Sequence, residues 1–265
     1  MLDTIYADLL LVGTVMLFAH WIHNRLNNLV SDATIVGLGF LLGLVYLSDS
    51  TLERFIFLLG TALGYVIEYF GVHTRSWRYN THNGYSNWTG TGWGLLILVI
   101  YKAEVAAISW PVLLALLAVA LVIVFRKVKD NSIRDWFDVV DFTVRGLAFF
   151  IAPEIFVLAF SLGVFVEYIG TEVCKTWVYP TIRYINIATG YSLLVIFVLR
   201  SSEYLFGMRE VTALPLVVIA LFVAVYIFDV VRCLPPQSRI RQALRRTPLL
   251  SLAQWLGGPP PEQTV

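Results

Sequence analysis

Leu63-Gly64-Tyr65-Val66-Ile67-Glu68-Tyr69-Phe70-Gly71 returns later in the chain as Leu162-Gly163-Val164-Phe165-Val166-Glu167-Tyr168-Ile169-Gly170. A Trp-x-Tyr follows each copy, Trp77-Arg78-Tyr79 and Trp177-Val178-Tyr179. Downstream, Thr91-Gly92-Trp93-Gly94-Leu95-Leu96 matches Thr189-Gly190-Tyr191-Ser192-Leu193-Leu194. Upstream, Asp32-Ala33-Thr34-Ile35-Val36-Gly37-Leu38-Gly39-Phe40 matches Asp141-Phe142-Thr143-Val144-Arg145-Gly146-Leu147-Ala148-Phe149. Leu-rich segments align by accident, but Glu-Tyr-x-Gly, Trp-x-Tyr and Thr-Gly-aromatic in one common order do not. The chain therefore reads as two internal repeats, about 30–126 and 138–232. Each carries an acid inside apolar sequence.

The rest of the composition says what surrounds those acids. Of 265 residues, 58% are hydrophobic and only 14% are charged, against about 25% charged in a soluble domain. Mean hydropathy is +0.75. This predicts an all-α, polytopic transmembrane bundle in one domain over 1–232. A β-barrel would instead show short alternating segments. A span needs about 20 apolar residues. Candidates fall near 5–23, 33–48, 53–73, 90–105, 107–126, 138–152, 154–170, 187–205 and 211–232. The short stretches 90–105 and 138–152 leave the count at eight or nine. Pro111, Pro153 and Pro215 suit helix first turns, where a missing N–H costs little.

With nine spans, Arg25, Arg75, Arg78, Arg126, Lys127, Lys129, Arg134, Lys175 and Arg183 share one face. Arg54, Lys102, Arg200 and Arg209 share the other. The positive-inside rule then puts the N-terminus outside and the C-terminus in the cytoplasm, with a bacterial inner (plasma) membrane as the expected location. The two repeats would run in the same direction across the bilayer, related by an axis along its normal. The N-terminus lacks a basic region and a small-residue cleavage site, so the first apolar run reads as the first span. The tail, 233–265, opens with Pro235-Pro236. It continues with Arg239, Arg241, Arg245 and Arg246 before Leu249, Leu250, Leu252 and Trp255. That is a basic amphipathic element suited to anionic headgroups, followed by a disordered Gly/Pro end. Dispersed basic residues and a net charge of +1 give no footprint for nucleic acid. Cys174 and Cys233 make neither a metal spacing nor a disulfide framework.

Glu68 and Glu167 stand near the cytoplasmic ends of apolar helices, at matched positions. A carboxylate in hydrocarbon costs about 2.5–3.5 kcal/mol on insertion scales and normally faces the bundle interior. A matched pair at a repeat interface is the leading catalytic candidate. A carboxylic acid kept neutral in an apolar cavity is a proton donor, as a general acid must be. The bland alternative pairs each Glu with Arg75, Arg78 or Lys175 at headgroup level. Asp32 and Asp141 also match; either they cap helix starts or they bring four carboxylates together on one face. Trp77, Tyr79, Trp177, Tyr179, Trp93 and Tyr191 recur in register with the acids. They are candidates to line a substrate cavity, where aromatic faces stabilise cations, or to sit in the interfacial belt.

All four histidines lie in the first half. His20 and His23, one helical turn apart, with His73 and Glu68, would be the only ligand set for a metal. The second repeat has no histidine, so no metal or other cofactor is expected. There is no P-loop, serine elbow or dinucleotide fingerprint. Glu203 and Lys102 read as end-of-helix charges on the opposite face. Gly90-Thr91-Gly92 is a candidate helix break.

The doubled unit with one acid per half resembles the integral-membrane carotenoid and terpenoid enzymes, among them the carotenoid 1,2-hydratase-like proteins, the heterodimer-type lycopene cyclases and the small membrane terpene cyclases. Glu68-Tyr69-Phe70-Gly71-Val72-His73-Thr74-Arg75 is similar to the Glu-x-x-Gly-x-x-Thr stretch of the hydratase group, and Glu167-Tyr168-Ile169-Gly170-Thr171 is its second copy. The Pro-x-Glu-Glu motif of the lycopene cyclases is missing. The resemblance implies an isoprenoid substrate entering from the bilayer, alkene protonation by Glu68 or Glu167, and hydration, cyclisation or isomerisation without a redox cofactor. Two other classes fit the same pattern: a small-solute or proton-coupled carrier, and a non-catalytic membrane assembly protein. The sequence leaves the oligomeric state open.

Overall fold

The computed structural model describes residues 2–26, 28–73, 77–80, 86–126, 136–179, 184–210 and 212–233. Among these, nine α-helices follow the apolar segments of the sequence: α1 (Leu2–Leu26), α2 (Leu29–Leu41), α3 (Thr51–His73), α4 (Thr89–Val105), α5 (Trp110–Arg126), α6 (Trp136–Gly146), α7 (Pro153–Tyr168), α8 (Tyr184–Leu205) and α9 (Ala213–Cys233). A π-helical turn, Leu42–Tyr46, extends α2, and another, Ile169–Val173, extends α7. The basic tail, 234–265, lies outside the described residues, as do Arg75 and His82.

Local chemistry sets the helix starts. Asn28 caps α2, accepting from the Ser31 N–H while Ser31 Oγ accepts from the Asn28 N–H. Ser50 and Glu53 make the same reciprocal box ahead of α3. Pro153 occupies the first position of α7, where it breaks no helical bond. The cap expected at Asp32 is thus Asn28, with Asp32 one turn inside. Asp141 likewise sits within α6 rather than at its start.

Among the described residues, three helices are long and apolar enough to cross a membrane, Ile5–His23, Thr51–His73 and Pro153–Val173, as a helical membrane protein requires. Val30–Tyr46, Trp110–Arg126 and Ala213–Ala224 are shorter apolar helices. The segment expected as a short span at 90–105 forms α4, in which every residue from Gly90 to Tyr101 is buried by other helices. Helix α4 is continuous through Gly90-Thr91-Gly92, so the expected break is absent.

α3 lies along α4, and α7 along α8; α3 also touches α8, and α4 touches α7. Small residues permit the close α3–α4 approach. A Cβ on Gly60 would press on Ile97 and the Gly94 backbone, and one on Gly94 would meet Thr61 and Phe57. This four-helix centre holds the main apolar core, including Phe57, Ile97, Leu98, Ile155 and Leu199, each 2% exposed or less. The outer helices are less alike. α5 packs on α7, α9 packs on α6, and α1 lies against α2 and α4. At the far ends of α4 and α8, Arg200 bonds both Glu104 (2.8 Å) and Glu203 (2.6 Å), while Lys102 bonds the Leu47 carbonyl (2.9 Å). Lys102 and Glu203 are thus parts of ionic clusters rather than simple end-of-helix charges.

An unexpected element joins the halves. Arg78–Tyr79 (β1) and Trp177–Val178 (β2) form a two-residue antiparallel ladder, Arg78 opposite Val178 and Tyr79 opposite Trp177. These strands are the two Trp-x-Tyr motifs. Their register sets the equivalent residues Arg78 and Val178 across from one another, as a two-fold axis through that pair would.

A paired-glutamate chamber

α3 carries Glu68 one turn before Gly71, and the chain then returns as β1. α7 carries Glu167 one turn before Gly170, and the chain returns as β2 after the π-helical turn. Lys175, with φ of +53°, makes the bend in the second copy. Thr176 N–H closes the second loop by donating to the Gly170 carbonyl (2.7 Å), and Asn80 N–H ties the two loops together by donating to the Thr176 carbonyl (2.8 Å). Both glycines are required by the returning indoles. A Cβ at Gly71 would enter the Trp77 ring, and one at Gly170 would enter the Trp177 ring.

The result is the same cradle twice. Glu68 Oε2 accepts from Trp77 Nε1 (3.0 Å) and Tyr79 Oη (2.6 Å), and its Oε1 accepts from Trp93 Nε1 (3.2 Å). Glu167 Oε2 accepts from Trp177 Nε1 (3.0 Å) and Tyr179 Oη (2.7 Å), and its Oε1 accepts from Tyr191 Oη (2.7 Å). Glu68 is 5% exposed and Glu167 2%. Aromatic contacts link the cradles: Trp93 and Tyr191 lie 4.2 Å apart, centroid to centroid, and the Trp77–Tyr179 and Tyr79–Trp177 pairs are 6.0 and 5.8 Å apart.

Both glutamates and all six donors line one cavity of about 170 Å³, which α1 reaches through Met16 and α9 through Phe222. Its wall is mostly apolar. All six aromatic residues expected at a substrate site are in this wall. Of the cations in the alternative pairing, Arg75 lies outside the described residues and Arg78 and Lys175 are exposed; among the described residues neither glutamate makes an ion pair. Burial, reinforced by the neighbouring Glu68 carboxyl, holds the Tyr79 hydroxyl well above the ordinary phenol range. Burial and Glu167 do the same at Tyr179. Both phenols keep their protons and remain donors.

The aspartates do not join this cavity. Asp32 accepts from Asn87 Nδ2 (3.2 Å) and pairs with His23 Nδ1 (2.9 Å). Asp141 pairs with Arg145 Nε (2.7 Å). The convergence of four carboxylates is therefore corrected to two, with each aspartate serving a neighbour instead. Arg145 was not foreseen. Its guanidinium lines the cavity, lies against Gly190 and stacks over Phe222 at 5.8 Å.

The histidines separate too. His20 is buried, bonds Thr176 Oγ1 (3.0 Å) and packs on Trp177 at 5.1 Å. His23 faces Asp32. His73 is exposed and bonds the Tyr69 carbonyl (2.8 Å). With the oxygens of Glu68 given to indole and phenol donors, the proposed His20–His23–His73–Glu68 metal set does not assemble. Among the described residues no group of three His, Cys, Asp or Glu gathers at metal-binding distance.

No family model, curated protein or solved structure matches this chain.

Proposed function

We propose that the chain is a membrane-embedded isoprenoid-modifying enzyme in which Glu68 and Glu167 act as a pair on an alkene. The observation that carries this reading is the shared cavity, with one acid from each half and three hydrogen-bond donors on each acid. Alkene protonation needs a group that gives up its proton readily. One glutamic acid would transfer its proton to a terminal alkene carbon, using the π electrons to form the new C–H bond and leaving a tertiary carbocation. The three donors then receive the charge left on the carboxylate. Trp and Tyr rings around the cavity favour the cation. The second carboxylate removes a proton, completing cyclisation or isomerisation, or accepts one from a water that adds to the cation, completing hydration.

Size narrows the substrate's approach. A cavity of about 150 Å³ suffices for a benzene ring, so this one takes a single ring-sized end group of a long chain. The remainder of the molecule stays in the bilayer. The matched cradles and the antiparallel pairing of equivalent strands support an ancestral duplication with two parallel repeats. The charge distribution supports an N-terminus outside and a C-terminus in the cytoplasm of a bacterial inner membrane.

Deuterium uptake tests the reading without knowledge of the product. Purified protein in D2O is expected to label added linear isoprenoid alkenes such as squalene or lycopene, read by mass spectrometry. Glu68→Gln and Glu167→Gln are each expected to cut labelling about 10²–10⁴-fold while the protein still inserts and purifies. Full labelling by either variant contradicts a paired-acid scheme.

A further inference from the structure

Among the described residues, no cation bonds either carboxyl group of the chamber. Its two carboxyl groups accept six hydrogen bonds, all from neutral donors. An indole N–H can only donate, so Trp77, Trp93 and Trp177 offer no acceptor to an acid's O–H and strengthen as the acid ionises. Yet a buried carboxylate is costly unless a charge of opposite sign accompanies it. Among the described residues, Arg145 is the one cation in the cavity wall, and it is engaged by Asp141 on its own helix.

We infer that the missing charge arrives with the ligand, and that the chamber binds a single tertiary or quaternary ammonium group of about ring size. Four features select that chemistry. Two carboxylates supply the counter-charge. Eight aromatic side chains, Trp88 and Phe222 among them, surround the space, and aromatic faces attract alkylammonium groups. The mostly apolar wall suits the methyl groups around such a nitrogen. The volume, about 170 Å³, slightly exceeds that needed for benzene. A hard metal cation is disfavoured because it needs several open oxygen ligands, whereas these oxygens already hold indole and phenol hydrogens. The inference rests on the same paired-carboxylate chamber as the proposed function, but it requires no turnover.

Benzyltrimethylammonium and neopentylbenzene differ only in a charged nitrogen replacing a carbon, and they isolate the charge. Binding of each to the full chain in dodecyl maltoside is read from tryptophan fluorescence, with calcium chloride as a metal control. The ammonium probe is expected to bind at least about tenfold more tightly than its neutral counterpart. Glu68→Gln and Glu167→Gln should each reduce that preference about tenfold, while Glu154→Gln, outside the chamber, leaves it unchanged. Should the glutamine variants fail to fold, Trp77→Leu keeps both acids. It should weaken the ammonium probe about fivefold more than the neutral one. Equal affinities for the two probes in the native chain, or quenching by calcium alone, overturn the inference. Isoprenoid labelling without an ammonium preference overturns it while leaving the proposed function standing. An ammonium preference without labelling does the reverse.

Discussion

The Glu68 cradle and the Glu167 cradle use the same parts in different settings. Each has a glutamate one turn before a glycine, an indole and a phenol from a returning strand, and a third donor from the next helix. Around Glu167, the indole of Trp177 is 4% exposed and packed by His20 from α1. Around Glu68, the corresponding Trp77 is half-buried and has no such clamp among the described residues. The flanking acids have diverged further: Asp32 holds His23 and Asn87, whereas Asp141 holds Arg145 at the cavity wall. What the halves share is the hydrogen bonding of the carboxylates; what they do not share is the scaffolding beyond it. The comparison teaches that the donor sets, rather than the outer helices, define the site.

The largest test of this comparison is removal of the acids. If the cradles act as a pair, Glu68→Gln and Glu167→Gln each cost about 10²–10⁴ in deuterium labelling. The double variant should be little worse than either single one, because the pair works as a unit. Loss of labelling in only one of the two single variants would contradict the pair and make the other glutamate vestigial. Next in size are the phenol donors. Tyr79→Phe and Tyr179→Phe each delete one bond to a carboxylate and should slow labelling about 10²-fold, the usual effect of losing one charge-stabilising donor.

A smaller effect separates the halves by packing. Gly170→Ala drives a methyl into a buried, clamped indole and should destabilise the protein by about 1–3 kcal/mol. Gly71→Ala meets an indole with room to move and should cost less; thermal unfolding in detergent ranks the two. His20→Ala should cost about 1 kcal/mol through its lost hydrogen bond to Thr176 and should shift tryptophan emission, a change not expected for His73→Ala.

The smallest effect is alkaline. Tyr79 and Tyr179 hold their protons more tightly in the fold than in the unfolded chain, where phenols titrate near about pH 10. Their contribution to stability is fully present below that pH and is lost as pH rises above it. Phenolate absorbance from these two residues should appear only with unfolding, and Tyr79→Phe should remove part of the lag.

Much of this arrangement was legible in the chain. The apolar segments marked the nine helices, and the recurrence of Glu68 with Trp77, Tyr79 and Trp93 pointed to one environment made twice. Hydropathy could not tell a lipid-facing helix from α4, whose apolar residues are buried by other helices rather than lipid. The β1–β2 ladder escaped because two residues carry no periodicity. Arg145 was not legible because its counterpart in the first half, Val36, is apolar, so the repeat does not mark it. His20 bonds Thr176 across 156 positions, a pairing that only the packing of α1 establishes. Asp32 and Asp141 matched as well as the glutamates did, yet they lie outside the cavity. A repeated residue marks a repeated environment only where its partners recur with it, as they do for the glutamates and not for the aspartates.

The most direct measurement is an experimental density map of the protein purified from its native membrane in a mild detergent. The account predicts elongated apolar density whose end lies between the carboxyl groups of Glu68 and Glu167, with the Tyr79 and Tyr179 hydroxyls on those carboxyls. Glutamate side chains turned into separate crevices, with no common space between them, would contradict it.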